Sequence, residues 1–592
     1  MVFHVAMRMR RGAVAVGAAG VVLAAAPGAL AQGPAVSAYP SPGVLTAGPG
    51  TQISLRGRAV GELGTIQVRG SRTGVHRGVL RAHSDGRGAS LVLNRPFAQR
   101  ERVTVRTDLP IAGATDGDYS FRTARAPGRV EISATGGLAE RVPAGARRRP
   151  RSRPDLRPPV VTVEQRTPEA SPDAILLGPK PKAQDAQAGP MILDATGRLV
   201  YFRPLGGRIQ ATDVRVQRYR GQPVVTWWQG TSRQGIGTGH LVILDQEYRA
   251  VARVRAGNGL RADLHEFIIT PRDTALFIAY PSVSMWVDGK RRAVVDSVIQ
   301  EVDIATGLVV FEWHSIGRIA TQESHSPVPG SIRVPWDYVH ANSVDVDSDG
   351  SLLMSARSTW AVYKLDPATG AIVWRLGGKK SDFELGRGAH FAWQHDARRR
   401  ADGTLSIFDN SAAPPVRKRS RAIVLGLDEA ARTATLRSAA VHPRGLLSAT
   451  QGNAQALPGG AQMVGWGSQR YFSEHAADGR VLFNARLAVG FETYRAHRAA
   501  WTGRPHTEPR AAGVRRAAGM DVYASWNGAT DVASWEVLAG ASADALAPVA
   551  SAARGAFETR IPVAVAAGFV AVRARDRAGA VLGTSPARRV SA

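Results

Sequence analysis

The chain has 592 residues, a formal charge of +28, 63 glycines, 35 prolines and no cysteine. That length exceeds one hydrophobic core and predicts two to four domains. The missing cysteines exclude disulfides, thiolate nucleophiles, Cys-ligated zinc and iron–sulfur clusters.

The N-terminus reads as an export signal. Arg8, Arg10 and Arg11 form a positive region, Gly12 to Ala26 is apolar, and Ala29-Leu30-Ala31 is a small-x-small cleavage site. Residues 1–31 are therefore expected to be removed and the protein to be secreted or cell-surface associated. No other segment approaches the ~20 apolar residues of a membrane helix, so no stable span is expected after cleavage.

Residues 32–126 are predicted to form an N-terminal β-sandwich. Thr51-Gln-Ile-Ser-Leu-Arg, Gly64-Thr-Ile-Gln-Val-Arg and Arg102-Val-Thr-Val-Arg-Thr alternate apolar with polar residues, the pattern of half-buried strands. Residues 127–172, with their Arg/Pro run and Pro158-Pro159, are predicted to be an extended linker. Arginine is otherwise spread along the chain, without a basic helical stripe or aromatic–basic interleaving, and no nucleic-acid partner is expected.

From 173 to 500 a turn recurs. Asp194-Ala-Thr-Gly, Asp303-Ile-Ala-Thr-Gly and Asp366-Pro-Ala-Thr-Gly each precede an aromatic residue: Tyr201, Phe311 and Trp374. Strand-like flanks such as Val298-Ile-Gln-Glu-Val-Asp accompany them. Repeated strand units with such turns predict a β-propeller, and the length suits six blades. Residues 501–592 change character and are predicted to be a C-terminal fibronectin-III-like sandwich, with strands near Val522, Trp535 and Phe569. The fold expected is thus all-β: a six-bladed propeller between two sandwiches.

Familiar catalytic motifs are missing. Gly235-Ile-Gly-Thr-Gly239 lacks dinucleotide spacing and reads as a loop. Asp345-x-Asp347-x-Asp349-Gly350 resembles the start of a calcium loop, but Ala356 stands where a bidentate carboxylate is required, and a β-turn is predicted. Histidine is more informative, because seven of the 14 lie between His240 and His395. Four segments adjoin strand patterns: Asp263-Leu-His265-Glu-Phe, Val339-His340-Ala-Asn342-Ser, Ser355-Ala-Arg357-Ser and Trp393-Gln-His395-Asp-Ala-Arg398. In a propeller, such segments converge on the central channel. Three histidines, an asparagine and an arginine suit either a metal or the transfer of a compact anionic group. A hydrolytic metal site usually adds a carboxylate ligand, and an arginine opposes a cation, so the anion reading fits the arginine better.

These segments, with Val373-Trp-Arg-Leu-Gly-Gly378, Asp409-Asn410, Gly452-Asn453 and Gly465-Trp466-Gly467, make the chain resemble the arylsulfotransferase family over about 190 to 485. The resemblance implies a six-bladed propeller with a central site that needs neither nucleotide cofactor nor metal. It implies an aryl sulfate donor and a phenolic acceptor. His395 matches the histidine that becomes sulfated. His265, His340, Asn342 and Arg357 match residues that bind sulfuryl oxygens or handle protons, and Thr450 matches a further polar contact. Asp396 or a backbone carbonyl is expected to hold the ring proton of His395, and Trp393 and Phe391 to shield the ring. Better-known family members depend on disulfides, which this chain cannot form. Two other readings remain open at this stage: a quinone-dependent propeller dehydrogenase, suggested by the Asp/Gly turns, and a non-catalytic surface binding protein.

Overall fold

The computed structural model describes residues 35–115, 117–131, 142–182 and 186–592, so the expected signal segment lies outside the described residues. The fold is all-β. The helical turns among the described residues are short 3-10 segments of three residues each. No helix among them is long and apolar enough to cross a membrane.

Between residues 174 and 499 the chain runs through successive antiparallel sheets, each wound from consecutive hairpins. The strand Ala174–Pro181 pairs with Phe491–Ala499, so the two ends of this region share one sheet. The strands Gln210–Tyr219, Ala262–Ile269, Ala341–Val346, His395–Arg399, Asn453–Ala456 and Phe491–Ala499 touch one another in that order, and the last touches the first. These strands form a closed ring. Each belongs to a different sheet or half-sheet, and apolar side chains of neighbouring sheets interlock outside the ring. Leu276, Ile278 and Trp313 meet Met354 and Tyr363 in one such layer; Leu353 and Trp374 meet Ile407 and Leu425 in the next.

The recurring turns behave as their sequences require. Gly307 N–H donates to Asp303 O and Gly370 N–H to Asp366 O, both at 2.8 Å. Both glycines sit at positive φ, where a Cβ is disfavoured. Each aspartate also accepts from its following threonine hydroxyl. The Asp345–Gly350 segment is a turn, as expected. Gly350 N–H donates to Asp347 O, and the Asp347 and Asp349 carboxylates pair with Lys364 at 3.2 and 2.8 Å.

The flanking regions are folded against the ring. Residues 37–122 form two four-stranded sheets over a shared core of Ile53, Leu55, Val68, Val103 and Phe121. Thr46 and Ser84 hydrogen-bond Asp296 and Asp303 of the ring region. A three-stranded and a five-stranded sheet share the core of residues 510–590, around Val522, Trp535 and Val572. Asn527 and Gly528 bond to Phe202 and Tyr248. The segment 127–172 does more than connect. Val161–Arg166 pairs with Val481–Leu487 as an edge strand, Leu156 is buried, and Ser152 N–H donates to Glu558 at 2.6 Å.

Candidate active site

The ring strands are irregular where the candidate residues lie. Register shifts interrupt the pairing of Ala262–Ile269, Ala341–Val346 and His395–Arg399 with their neighbours. Such bulges re-aim side chains and leave backbone groups unpaired. Non-glycine residues with positive φ gather here: His340 and Trp393 near +54°, with Trp360, Ser411 and Gln451 beside them. Residues other than glycine pay for that conformation, and it concentrates at functional sites.

His395 opens its strand and is 1% exposed. Its Nδ1 lies 2.8 Å from Asn410 Oδ1. Asn410 directs its amide N–H groups to the carbonyls of Ser448 and Gln451, at 3.0 and 2.9 Å, which fixes Oδ1 toward the ring. The Gln451 backbone N–H donates to His395 Nε2 at 3.2 Å. Nε2 therefore carries a lone pair and Nδ1 the proton. The expectation for Asp396 is corrected: its carboxylate turns the other way, to Arg398 and Arg495 at 2.8 and 3.5 Å, because adjacent strand residues face opposite sides. Burial, with the nearby Arg357 charge second, holds the His395 imidazole well below its usual pKa, so the ring is neutral. Trp393 and Phe391, two and four residues before His395, are buried.

His265 and His340 lie with ring centroids 4.9 Å apart, and Tyr280 stands 5.5 Å from both. Each histidine is backed at Nδ1 by a carboxylate three or fewer residues away, Asp263 and Asp337. The Asp263 carboxyl also accepts the backbone N–H of Gly237. Burial pushes Asp263 up to about 7, and the same burial holds His265 well below its usual value. Both directions are met when the carboxyl keeps its proton and donates it to Nδ1. The imidazole is then neutral with its proton on Nε2. Gly235-Ile-Gly-Thr-Gly239, expected to be a loop, is instead a hairpin turn at Gly235 and the start of the strand Ile236–Leu244, and it is part of the wall. A Cβ on Gly237 would stand 3.1 Å from Asp263 and 2.7 Å from the Leu264 nitrogen.

Arg357 follows the strand Leu352–Ala356, and its backbone N–H donates to His340 O at 2.9 Å. Its guanidinium lies 4.7 Å over the Trp393 ring, and one Nη donates to Ala449 O at 3.2 Å. Its Nε has no partner, and it forms no ion pair among the described residues. Burial lowers its pKa, but a guanidinium stays charged. The result is a partly buried cation without an ion pair among the described residues, its charge favoured from a longer distance by the Asp337 carboxylate. Trp360 meets Trp393 edge-on at 5.2 Å and stacks on His325 at 3.6 Å, extending the aromatic wall.

The other two expected residues differ from expectation. Asn342 is fully buried, but its amide N–H donates to Gln394 O at 2.7 Å and its Oδ1 is unpaired. One amide N–H thus holds the residue before His395, and the amide has a second N–H besides. Thr450 is exposed, and its hydroxyl meets Gln451 at 3.3 Å. The neighbouring Gln451 N–H is the group that reaches His395. Asn410, Asp263, Asp337 and Tyr280 complete the site. Asp263 and Asp337 were legible in their spacing to histidine; Asn410 stood among the resemblance segments as Asp409-Asn410, but without a role. Among the described residues no group of three or more His, Asp or Glu side chains is placed to hold a metal ion.

Three solved structures similar to this chain illustrate the range. A protein of unknown function from Bacteroides caccae has 14% identity and a TM-score of 0.36, covering 55% of this chain and 98% of its own. An inactive virginiamycin B lyase from Staphylococcus aureus with quinupristin has 9% identity and a TM-score of 0.30, covering 62% and 95%. An auxiliary nutrient binding protein from Bacteroides ovatus has 9% identity and a TM-score of 0.29, covering 80% and 92%. No curated protein matches the chain. The model of the arylsulfotransferase (ASST) family matches residues 215–488, which hold His265, His340, Asn342, Arg357, His395 and Thr450. Residues 215–488 are thereby similar to the arylsulfotransferase family, in line with the resemblance carried by the sequence motifs.

Proposed function

We propose that the protein transfers a sulfuryl group from an aryl sulfate to a phenol through a sulfohistidine at His395. The family match supports an activity of this type. The observation that carries the finer reading is Arg357: a partly buried guanidinium without an ion pair, beside a neutral histidine whose Nε2 lone pair is fixed. Its planar fork suits the oxygens of a sulfuryl group. The closed ring of inner strands is read as six propeller blades around this site, with sandwiches at 32–126 and 501–592. An exported location fits the N-terminal signal pattern.

In the first half-reaction Nε2 of His395 attacks sulfur, and the bond to the aryl oxygen breaks. The His265–Asp263 pair, holding a proton near neutrality, donates it from Nε2 to the departing phenolate. Arg357 offsets charge on the sulfuryl oxygens. In the second half the acceptor phenol gives its proton back to that pair as its oxygen bonds to sulfur. Trp393, Trp360 and Phe391 exclude water, which would otherwise discharge the adduct.

The direct test is incubation with p-nitrophenyl sulfate. Release of p-nitrophenol that rises with added phenol, with phenyl sulfate as product, supports the reading. Release that ignores phenol and yields only inorganic sulfate points to a hydrolase instead. A pH prediction follows from Asp263. With an unactivated phenyl sulfate, which needs the proton most, kcat/KM falls as pH rises above about 7, where the carboxyl gives up its proton. Asp263→Asn cannot lose that proton, so this limb disappears. An alkaline limb unchanged in Asp263→Asn would assign the acid elsewhere.

A further inference from the structure

Three histidines, two of them buried, share the site but have different partners. Asp263 and Asp337 back His265 and His340 with carboxylates, whereas the partner of His395 is a carboxamide. A carboxylate can take the Nδ1 proton outright; a carboxamide oxygen can only accept a hydrogen bond from it. The proposed reaction gives that distinction a consequence. When Nε2 bonds to sulfur and Nδ1 keeps its proton, the ring is a sulfonated imidazolium whose leaving group is neutral imidazole. If Nδ1 loses its proton, the leaving group becomes an imidazolate, and the adduct is inert.

From this, and resting on the transferase reading above, we infer that Asn410 is a positioning residue that keeps the Nδ1 proton on His395 through both half-reactions. Bonds balance on that account. Nε2–S forms as S–O(aryl) breaks, and the phenolate takes its proton from the His265 pair. The acceptor oxygen–sulfur bond then forms as S–Nε2 breaks, the acceptor's proton passes to the His265 pair, and His395 departs as Nδ1–H imidazole. No proton leaves the His395 ring at any step.

The surroundings reinforce the choice. The charged and titratable groups facing His395 are Arg357, His265 and His340. Asp409, next to Asn410, is engaged by Arg421 at 2.8 Å, and Asp396 by Arg398. Asp345, on the adjoining strand, lies toward Arg398 at 3.8 Å. No free carboxylate faces Nδ1 among the described residues. Asn410 is itself held by two backbone carbonyls, Ser448 O and Gln451 O. The same loop thus supplies both the clamp on Asn410 and the N–H that marks Nε2.

The test compares wild type with Asn410→Asp, using phenyl sulfate as donor and phenol as acceptor. A carboxylate beside Nδ1 favours imidazolium in the resting enzyme, so the acid limb of kcat/KM should move up by about 1–3 pH units. The same carboxylate takes the proton from the sulfonated ring, so single-turnover discharge to phenol should slow by about 10²-fold. A wild-type adduct whose discharge and pH profile are indifferent to Asn410→Asp overturns the assignment to Asn410 alone. Absence of any wild-type adduct brings down the transferase reading beneath it. Should the variant fail to fold, ¹⁵N-histidine NMR of the wild type decides. The His395 resonances, identified by their loss in His395→Asn, should show Nδ1 protonated and Nε2 bare from pH 6 to 9. A proton on Nε2, or titration near 6.5, contradicts the inference.

Discussion

Adjacent residues of the ring strands build two unlike places. His265, His395 and Tyr494 face the candidate site; their neighbours Glu266, Asp396 and Arg495 face away and form a charge network with Asp213, Arg215 and Arg398. In that network every charge is answered. Fully buried Arg495 meets Asp213 at 2.9 Å, Glu266 at 3.1 Å and Asp396 at 3.5 Å. On the other side Arg357 forms no ion pair among the described residues, and Asn342 Oδ1, Asp337 Oδ1 and Arg357 Nε lack partners. A compensated buried network holds structure, whereas a cation without an ion pair beside the site histidines supports the proposed anion site.

The largest effect should come from crossing that divide. Arg495→Met removes the hub and leaves three buried carboxylates short of a partner, at about 3–5 kcal/mol of stability. His395→Asn, one residue from the same network, should melt like wild type and transfer nothing. Thermal unfolding beside the transfer assay separates them; a His395 variant that unfolds early would merge the two regions into one structural unit. Next in size is Arg357→Lys, which keeps the charge but loses the fork and the stacking over Trp393. The transfer step should lose about 1–3 kcal/mol, with melting little changed. Unaltered single-turnover rates would take Arg357 out of the chemistry.

The smallest effect concerns another buried histidine of the ring region. His314 sits between Asp296 at 2.8 Å and Glu312 at 3.0 Å. Burial opposes its charge, but the two carboxylates prevail and raise its pKa to about 10. Because Thr46 of the N-terminal region also bonds Asp296, this imidazolium joins two parts of the molecule. A raised folded pKa stabilises fully below the unfolded value of about 6.5 and loses that contribution as pH climbs through 10. Melting temperature should therefore fall between pH 7 and 10.5 more steeply in wild type than in His314→Gln. Parallel curves would show that His314 is neutral in the fold.

Much of this was legible because it is local. Arg102–Thr107 and Val298–Asp303 alternate or run apolar between turn residues, and they are strands with those bounds. The histidine segments were legible because short polar interruptions of apolar strands stand out. What escaped depends on distant partners. Asn410 acts across a hairpin from His395, and its orientation is set by a loop some 40 residues on. Asp396 seemed the natural partner of the histidine beside it, but strand geometry sends neighbours to opposite faces. Asn342 sits at the site, yet one of its two donors goes to Gln394, which no spacing in sequence reveals. Val161 and Val163 looked like linker residues, although they pair with a strand more than 300 residues away.

The most direct test of the central claim is peptide mass spectrometry after wild-type protein meets an aryl sulfate without acceptor. The account predicts one added sulfuryl group on the peptide that carries His395, and its loss when phenol is added. The same mass on the His265 or His340 peptide, or substantial transfer by His395→Asn, would contradict it.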